Sequence, residues 1–554
     1  MKRFALILVI ISILLSLFGC NSSKTNNNIT SDNSKIMPPE VTTPSGSSTA
    51  GNEGIPEDAS VNTWMSEGFN KVYGAARLPS EKPKSFSLQA AKNERESCHV
   101  SIRINQAVKG LTFKQTSADI DNITVEILEE FLIQTGTQYY PDPIVPFDGT
   151  FDVEKNTNKS LLIRFAVGKD ANAGDYEYKF ELADAAGAVV QTFTVNLKVW
   201  NITLPDEPTC DTAGAIGKNN ISSYERVGMM IVSKKYYKLY YDMLIDYRFS
   251  PHDLPYEILD EKADAYMSDP RVTGFRIDHN QSDEKLTQIY EKLKTNPVWL
   301  EKAYFYVFDE PTNVEKLNSA SQIAARVSKL CPDVDILVAF FTNVKYDDNR
   351  DQIDFMSEFL DVYCAKSAAW ADKWLADPLG RGYFGDRMDA FNEKGNKIWW
   401  YVCWEPGDPY CNLFVNERGV QHRELFWQQY FYNVDGFLYW AVTNWGSVSD
   451  PSVESPYNDP PQGREYGDGV LVYPGKNFGV EGPVASLRLE CVRDGVEDFD
   501  LLKLAEEYLG REWVINKIKL VSESLTVHTK SNETFSSVRK DIGDALEKAI
   551  AEAK

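Results

Sequence analysis

The sequence lacks the usual signatures of a metal site or a nucleic-acid interface. Its five histidines are scattered, and none of its eight cysteines lies in a CxxC pair, so we predict no metal site and no cofactor. Acidic residues also outnumber basic ones, 81 to 58, and the formal net charge is −23. Binding to nucleic acid requires a basic stripe, so we expect no nucleic-acid partner.

Long hydrophobic runs are missing except at the N-terminus. A basic start at residues 1–3 is followed by an apolar stretch over 4–18, and the sequence Leu17-Phe18-Gly19-Cys20 resembles a bacterial lipobox. The stretch is short for a membrane span; an ordinary signal peptide or a transmembrane anchor is the alternative. We predict a lipoprotein signal over 1–20, lipidation of Cys20, and a membrane-anchored protein on the bacterial cell surface, outside the cytoplasm.

Residues 21–58 contain almost no large apolar side chain and are rich in Ser, Asn, Thr, Pro and Gly. Such a segment cannot bury enough surface to offset its chain entropy, so it is predicted to be a disordered tether. An oxidising exterior permits disulfides between the seven remaining cysteines, and the closeness of Cys403 and Cys411 does not decide their pairing. We expect most of these thiols to be free and buried.

Residues 59–204 show the alternation of apolar and polar side chains that is typical of half-buried strands. Examples are Tyr176, Tyr178, Phe180 and Leu182, followed after a turn by Phe193, Val195, Leu197 and Val199. Strands of period two at short spacing, separated by Gly, Asn and Asp turns, predict an N-terminal β-sandwich.

Residues 205–510 change to short apolar strands that alternate with helical stretches. The candidate strands are 212–217, 242–249, 271–278, 302–309, 335–342, 362–368, 398–404 and 436–443. The candidate helices between them include 284–295, 313–330, 381–394 and 418–432. This pattern predicts a (β/α)8 TIM barrel, and therefore a multidomain chain. Helices near 486–508, 512–524 and 532–553 follow, so residues 511–554 are predicted to be C-terminal helices.

An acid pair, Asp309 and Glu310, ends the apolar and aromatic run of residues 303–308. The run predicts a buried strand, and Pro311 ends it because proline has no N–H for a ladder. Neighbouring residues of a regular strand point to opposite faces. The two acids can therefore serve one pocket only if the backbone leaves strand geometry. We predict that they are catalytic, since barrels place their chemistry at the carboxyl ends of strands; the alternative is capping of the helix that begins near Thr312.

Tryptophan is concentrated near the last two predicted strands. Six of the twelve tryptophans are Trp399, Trp400, Trp404, Trp427, Trp440 and Trp445. Rigid aromatic faces suit stacking on sugar rings, and the alternative is plain barrel core. Trp399 and Trp400 cannot both face inward, whereas Trp404 and Trp445 follow the strand ends and are better candidates for the mouth. Glu405, in the loop after the seventh predicted strand, is a rival carboxylate to the acid pair, and we favour the alternative that it is a solvated loop charge.

Several motifs together resemble glycoside hydrolase family 123. The acid pair before Pro311 and four further motifs resemble its catalytic domain: GFLYWA at 436–441, YPG at 473–475, SLRLE at 486–490 and RDGVED at 493–498. The region 60–204 resembles its N-terminal sandwich, through AKNERE at 91–96 and AGDY at 173–176.

The resemblance implies an activity and roles for the acids. Characterised members of the family are β-N-acetylgalactosaminidases that retain anomeric configuration without an enzyme nucleophile, because the substrate's own acetamido oxygen attacks. Glu310 would be the general acid and then the general base, and Asp309 would orient the acetamido N–H. The predicted substrate-binding residues are Tyr401, Trp404, Trp440, Asn444 and Trp445.

The predicted reaction is exo-acting release of terminal β-linked N-acetylhexosamine from a glycan, with N-acetylgalactosamine favoured. The alternatives are a glycan-binding surface lipoprotein without activity, or a hydrolase for a different sugar. The insertion 450–467, rich in Pro, Asp and Ser, is a candidate for selecting the sugar, because loops decide specificity on a barrel.

Overall fold

The described part of the chain contains two N-terminal sheets, a parallel sheet that is curved into a barrel, and C-terminal helices. This computed structural model describes residues 54–135, 138–371, 378–445 and 466–553. The predicted signal sequence with Cys20, nearly all of the tether and nearly all of the insertion 450–467 lie outside these residues.

Ten strands form the N-terminal region: β1 Val61–Glu67, β2 Ser85–Lys92, β3 Glu94–Ile104, β4 Val108–Gln115, β5 Ile123–Thr135, β6 Gln138–Pro146, β7 Thr150–Val153, β8 Asn158–Val167, β9 Gly174–Ala183 and β10 Val189–Thr203. Five of them form a sheet in the order β2-β10-β9-β4-β7, and the other five, in the order β1-β3-β8-β5-β6, belong to a second sheet. The alternating residues that predicted strands form a core shared by both sheets, for example Phe165 and Tyr178 with ring centroids 5.0 Å apart.

Seven parallel strands form the barrel-like sheet: β11 Asp211–Gly214, β12 Phe275–Arg276, β13 Ala303–Asp309, β14 Asp335–Phe340, β15 Val362–Lys366, β16 Lys397–Val402 and β17 Gly436–Tyr439. Their order is β11-β17-β16-β15-β14-β13-β12, with every pair parallel. The prediction of eight regular strands is therefore not confirmed. In the gap between the two edge strands, the His252 N–H donates to the Gly214 carbonyl at 2.8 Å and the Arg276 N–H donates to the His252 carbonyl at 2.7 Å. This short segment nearly closes the sheet.

The helices of the barrel region lie between these strands: α1 Lys218–Tyr224, α2 Met229–Ile231, α3 Tyr237–Asp246, α4 Ala263–Met267, α5 Asp283–Leu293, α6 Pro297–Lys302, α7 Val314–Leu330, α8 Gln352–Met356, α9 Phe384–Asn392 and α10 Gly419–Phe431. A π-helical turn, Val232–Tyr236, joins α2 to α3, and 3₁₀ turns lie at Ser367–Trp370 and Gly475–Phe478. The predicted helices at 284–295, 313–330, 381–394 and 418–432 are confirmed, with ends that differ by a few residues.

The predicted second barrel strand, 242–249, is wrong. Its first half lies in α3, whose buried residues are Tyr237, Tyr240, Tyr241, Leu244 and Ile245. These positions recur at the spacing of one helix face, and that period extends upstream of the segment we read as a strand. A short apolar window does not distinguish a buried strand from a buried helix.

The C-terminal elements are β18 Val472–Pro474, β19 Pro483–Ser486, α11 Leu487–Leu509, α12 Arg511–Ile518 and α13 Asn532–Glu552. Strand β19 pairs with β6 and with β18, so this part of the predicted barrel range 205–510 extends the second N-terminal sheet to seven strands. After the last barrel strand the chain therefore returns to the second N-terminal sheet, where β19 pairs with β6.

Two of the motifs quoted above meet in a buried ion network. Arg423 of α10 lies 2.6 Å from Glu96 and 2.5 Å from Asp498. Arg539 of α13 pairs with Glu94 and lies 2.7 Å from the same Asp498 carboxylate. Removing one member of such a network would leave an uncompensated buried charge. These acidic motif residues therefore hold the N-terminal sheet, the barrel and the last helix together.

The described residues give two further results that concern location and chemistry. The seven described cysteines, at 98, 210, 331, 364, 403, 411 and 491, are all buried and free, which confirms the expectation for most of them. None of the helices in the described ranges has the length and apolar character needed to cross a membrane.

Candidate active site

The strand β13 carries the acid pair to the carboxyl end of the barrel sheet. Its pairing with β14 shifts register between Tyr306 and Phe308, so that Tyr306 lies opposite Leu337 and Asp309 lies opposite Ala339. Leu337 and Ala339 both belong to the core inside the barrel. The extra residue therefore brings Asp309 to the same face as Tyr306, as a β-bulge does.

Glu310 is turned toward the same mouth by its backbone. It has a φ of +49°, in the left-handed region that costs a residue with a side chain about 1–3 kcal/mol and that clusters at functional sites. Its N–H donates to the Ala339 carbonyl at 3.0 Å, which holds the turn. The structure thus meets the requirement set by the sequence, because a bulge and a left-handed residue replace regular strand geometry at the acid pair.

Each acid is held by a tyrosine from inside the barrel. The Tyr306 hydroxyl donates to Asp309 Oδ1 at 2.7 Å, and the Tyr401 hydroxyl donates to Glu310 Oε1 at 2.6 Å. Burial and the neighbouring carboxylates raise the pKa values of both phenols well above the usual range. Both tyrosines are therefore neutral donors at physiological pH, and they fix two adjacent carboxylates in one cleft.

The two carboxylates differ in environment. Asp309 is exposed and Glu310 is half-buried. Burial is the largest influence on Glu310 and raises its pKa; the charge of Asp309 raises it further, while the Tyr401 hydrogen bond and Lys366 oppose the rise. Two acids whose environments differ in this way can divide acid and base roles.

Glu405 is not the solvated loop charge that the sequence suggested. Its Oε2 lies 2.6 Å from Nζ of Lys366, whose side chain is buried at the end of β15. The same Nζ lies 3.6 Å from the centroid of the Phe341 ring. Lys366 lowers and Glu405 raises the pKa of Glu310. The pair is therefore part of the electrostatic surroundings of the acid.

The predicted aromatic residues occupy three different environments. Trp404 is 55 % exposed and stacks on Phe341 with ring centroids 6.2 Å apart. Trp440 is half-buried and its indole N–H donates to Asp468 at 3.0 Å. Trp399 belongs to the core inside the barrel, while Trp400 packs outside it against Trp370. Trp404 and Trp440 thus remain available for a ligand, and the prediction that Trp399 and Trp400 face opposite sides is confirmed.

Trp445 does not reach the mouth, contrary to the prediction. It is 1 % exposed, and its indole N–H donates to the Val472 carbonyl at 2.8 Å. Its ring packs against Tyr224 and Tyr240, at centroid distances of 5.3 and 5.9 Å. A residue after a strand end was assumed to be accessible, but α1 and α3 cover this one. Trp445 is core.

Asn444 lies next to that core but keeps an unused donor. Its main-chain N–H donates to the Gly469 carbonyl at 2.9 Å. Its side-chain Nδ2 is buried, and within the ranges that the structure describes it has no hydrogen-bond partner. Buried amides are normally satisfied. Asn444 therefore remains a candidate ligand residue.

Sequence reasoning missed Tyr306, Lys366 and Phe341 as parts of the site. Tyr306 could have been found as the residue whose alternation places it on the inner face before the acids. Lys366 could have been found as a single charge that ends an otherwise apolar strand. Phe341 carries no signal of its own, because its position depends on the loop that follows β14.

Comparison with known proteins gives one family match. Residues 249–505 match the family described as glycoside hydrolase 123, catalytic domain. This stretch contains β12 to β17, both acids and most of α11, and it confirms the resemblance drawn from the motifs. No curated protein matches the chain.

One solved structure supports the fold. A family 123 glycoside hydrolase from Clostridium perfringens, analysed for glycolipid glycan hydrolysis, is 15 % identical with a TM-score of 0.64, and the match covers 89 % of this chain and 98 % of that one. A family 2 β-galacturonidase from Eisenbergiella tayi is 11 % identical, with 79 % and 72 % covered, but its TM-score of 0.30 is too low to inform this fold.

Proposed function

We propose that this glycoside hydrolase, which matches the catalytic domain of family 123 over residues 249–505, releases terminal β-linked N-acetylhexosamine by a substrate-assisted, retaining mechanism. N-acetylgalactosamine is the favoured sugar. The observation that carries the proposal is the acid pair at the barrel mouth, where Tyr306 and Tyr401 hold Asp309 and Glu310 side by side.

Adjacent acids favour substrate assistance over a two-carboxylate mechanism. Retaining enzymes with their own nucleophile place two carboxyl groups about 5–5.5 Å apart on opposite sides of the scissile bond. Asp309 and Glu310 are consecutive, and both are held by tyrosines from inside the barrel. They therefore approach a sugar ring from the same side. They can act on the leaving oxygen and on the neighbouring acetamido group, and the acetamido oxygen then supplies the nucleophile.

In the first step Glu310 donates its proton to the leaving oxygen as the glycosidic bond breaks. The acetamido oxygen forms a bond to the anomeric carbon, giving an oxazolinium ion. Asp309 accepts a hydrogen bond from the acetamido N–H and stabilises the positive charge that develops there. A half-buried Glu310 with a raised pKa suits the proton donor, since the group must be protonated at the working pH.

In the second step the roles reverse. Glu310, now a carboxylate, takes a proton from water as that water attacks the anomeric carbon and opens the oxazolinium ring. The sugar leaves with its original configuration, because the two displacements each invert it. In this proposal Trp404 and Trp440 stack on the ring or enclose the acetamido methyl.

The substrate proposal has a direct test. A panel of aryl β-glycosides of N-acetylgalactosamine, N-acetylglucosamine, galactose and glucose should give turnover on the two acetamido sugars, fastest on N-acetylgalactosamine. Galactose and glucose lack the internal nucleophile and should give none. Binding without turnover across the panel would favour a glycan-binding protein, and turnover of galactose would indicate a different sugar and a different mechanism.

The Tyr401 hydrogen bond predicts a pH effect. Donation to the Glu310 carboxylate stabilises the charged form and lowers its pKa, so Tyr401→Phe should raise that pKa. The general acid then stays protonated to higher pH, and the alkaline limb of kcat/KM should move to higher pH. Tyr306→Phe is the matched control, since it removes the same group from Asp309 and should leave that limb in place. An equal shift in both variants would contradict the assignment.

We also propose that the protein is anchored to the outside of a bacterial membrane by lipid on Cys20, as the lipobox and the polar segment after it indicate. Detergent phase partitioning of the wild type should place the protein in the detergent phase, and Cys20→Ala should shift it to the aqueous phase. Ser22→Ala is a matched control that leaves the lipobox intact. Equal release of wild type and Cys20→Ala would rule out the anchor.

A further inference from the structure

Three side chains of the kinds that bind transition metals meet in the interior, although they are far apart in the sequence. Cys411 lies in the loop after β16, Glu424 in α10, and His528 in the segment between α12 and α13. Their candidate ligand atoms all lie within 4.8 Å of one another. Cys411 is 2 % exposed, and the side chains of Glu424 and His528 are 0 % and 1 % exposed.

The contacts of His528 place its two ring nitrogens beside different partners. Its Nε2 lies 2.8 Å from the Pro409 carbonyl oxygen, which only accepts, so this nitrogen carries a proton. Its Nδ1 lies 3.0 Å from Oε2 of Glu424 and 3.4 Å from the Thr529 carbonyl oxygen. A metal ion bound here would take both Nδ1 and this carboxylate as ligands. Histidine ligands of metals commonly donate their other N–H to a carbonyl in this way.

Glu424 supplies a second, independent sign. Its Oε1 is buried and has no hydrogen-bond partner among the residues that the structure describes. An unsatisfied buried carboxylate oxygen is costly. A coordinated cation would satisfy it and would compensate the buried charge.

We propose that Cys411 Sγ, Glu424 and His528 Nδ1 bind one zinc ion. A thiolate, an imidazole and a carboxylate are the ligand types that zinc takes, usually in a tetrahedron. On binding, the Cys411 thiol releases its proton to solvent and its sulfur forms the bond to the metal. One position of the tetrahedron is left for a further oxygen ligand.

The site would brace the loop that borders the acid pair. Cys411 is followed by Asn412, whose Nδ2 donates to the carbonyls of Cys403 and Pro406, both at 2.8 Å. That loop begins with Trp404 and Glu405. Zinc would tie its far end to α10 and to the C-terminal segment. Zinc binding at this site does not depend on the proposed substrate.

The test is zinc binding by the full chain. The purified chain is stripped with a chelator and titrated with Zn²⁺ against a chromophoric competitor, and its metal content is measured by elemental analysis. The wild type should bind one equivalent and unfold at a higher temperature when loaded. Loss of an outer-shell partner alone typically weakens metal binding about 10–100-fold, so Cys411→Ser and His528→Gln should each weaken it at least about tenfold.

Cys331→Ser is the matched control, because Cys331 is another buried free thiol and lies at the end of α7. It should bind zinc as the wild type does. Failure of the wild type to bind an equivalent of zinc would overturn the proposal and leave a buried ion pair between His528 and Glu424. Unchanged affinity in folded Cys411→Ser would overturn it equally, and the wild-type measurement decides the matter even if both ligand variants fail to fold.

Discussion

Glu310→Gln should lower kcat/KM by about 10²–10⁴-fold on substrates with poor leaving groups, the range that general acid catalysis typically contributes. Glutamine has the same shape and still accepts the Tyr401 hydrogen bond at its amide oxygen, but it has no proton to give to the leaving oxygen. An activated leaving group such as dinitrophenolate departs without protonation. For such a substrate Glu310→Gln should therefore slow the first step much less. The measurement is a leaving-group series of aryl and alkyl glycosides with both enzymes.

Glu315→Gln is the control for this substitution. Glu315 is an exposed carboxylate in the first turn of α7, five residues beyond the acid pair, and its loss should leave the series unchanged. The dependence on leaving group should become steeper in Glu310→Gln than in the wild type. A uniform loss at every leaving group would mean that Glu310 does not protonate the departing oxygen.

Asp309→Asn should slow activated and poor substrates alike, by about 10²–10³-fold, the loss typical when a charge-stabilising group is removed. The acetamido oxygen must become nucleophilic whatever the leaving group is. Without the carboxylate, the positive charge on the acetamido group has no partner. Asparagine keeps an oxygen for the Tyr306 hydroxyl, so the effect of charge is separated from the effect of position. The measurement is the same leaving-group series.

Asp348→Asn controls for the loss of one negative charge, because that side chain is 95 % exposed in the loop after β14. It should retain wild-type rates. Azide provides the opposing test with Asp309→Gly: formation of a glycosyl azide of inverted configuration would identify Asp309 as a direct nucleophile. In that case the assistance of the substrate's acetamido group would have to be abandoned.

The barrel shows which predictions local sequence can support. The strand that carries the acids, the helix α7 after it and the alternation of Trp399 and Trp400 were all readable, because each depends on the period of side chains along a few residues. The segment 242–249 was misread for the same reason, since a window that short does not separate the two periods. Residues 250–252 nearly close the sheet although they show no strand pattern. Hydrogen bonds between His252 and both edge strands hold them there, and the sequence does not show such pairing.

The site depends more than the barrel strands do on contacts between residues that are distant in the sequence. The sequence by itself determined that two acids end a buried strand, that aromatic residues follow neighbouring strands, and which family the motifs resemble. Only the tertiary structure decided that a bulge and a φ of +49° bring both acids to one face, and that Tyr306 and Tyr401 hold them. It also buried Trp445 and gathered Cys411, Glu424 and His528. A period is set by bonded neighbours, whereas a contact between distant residues is set by how whole elements pack.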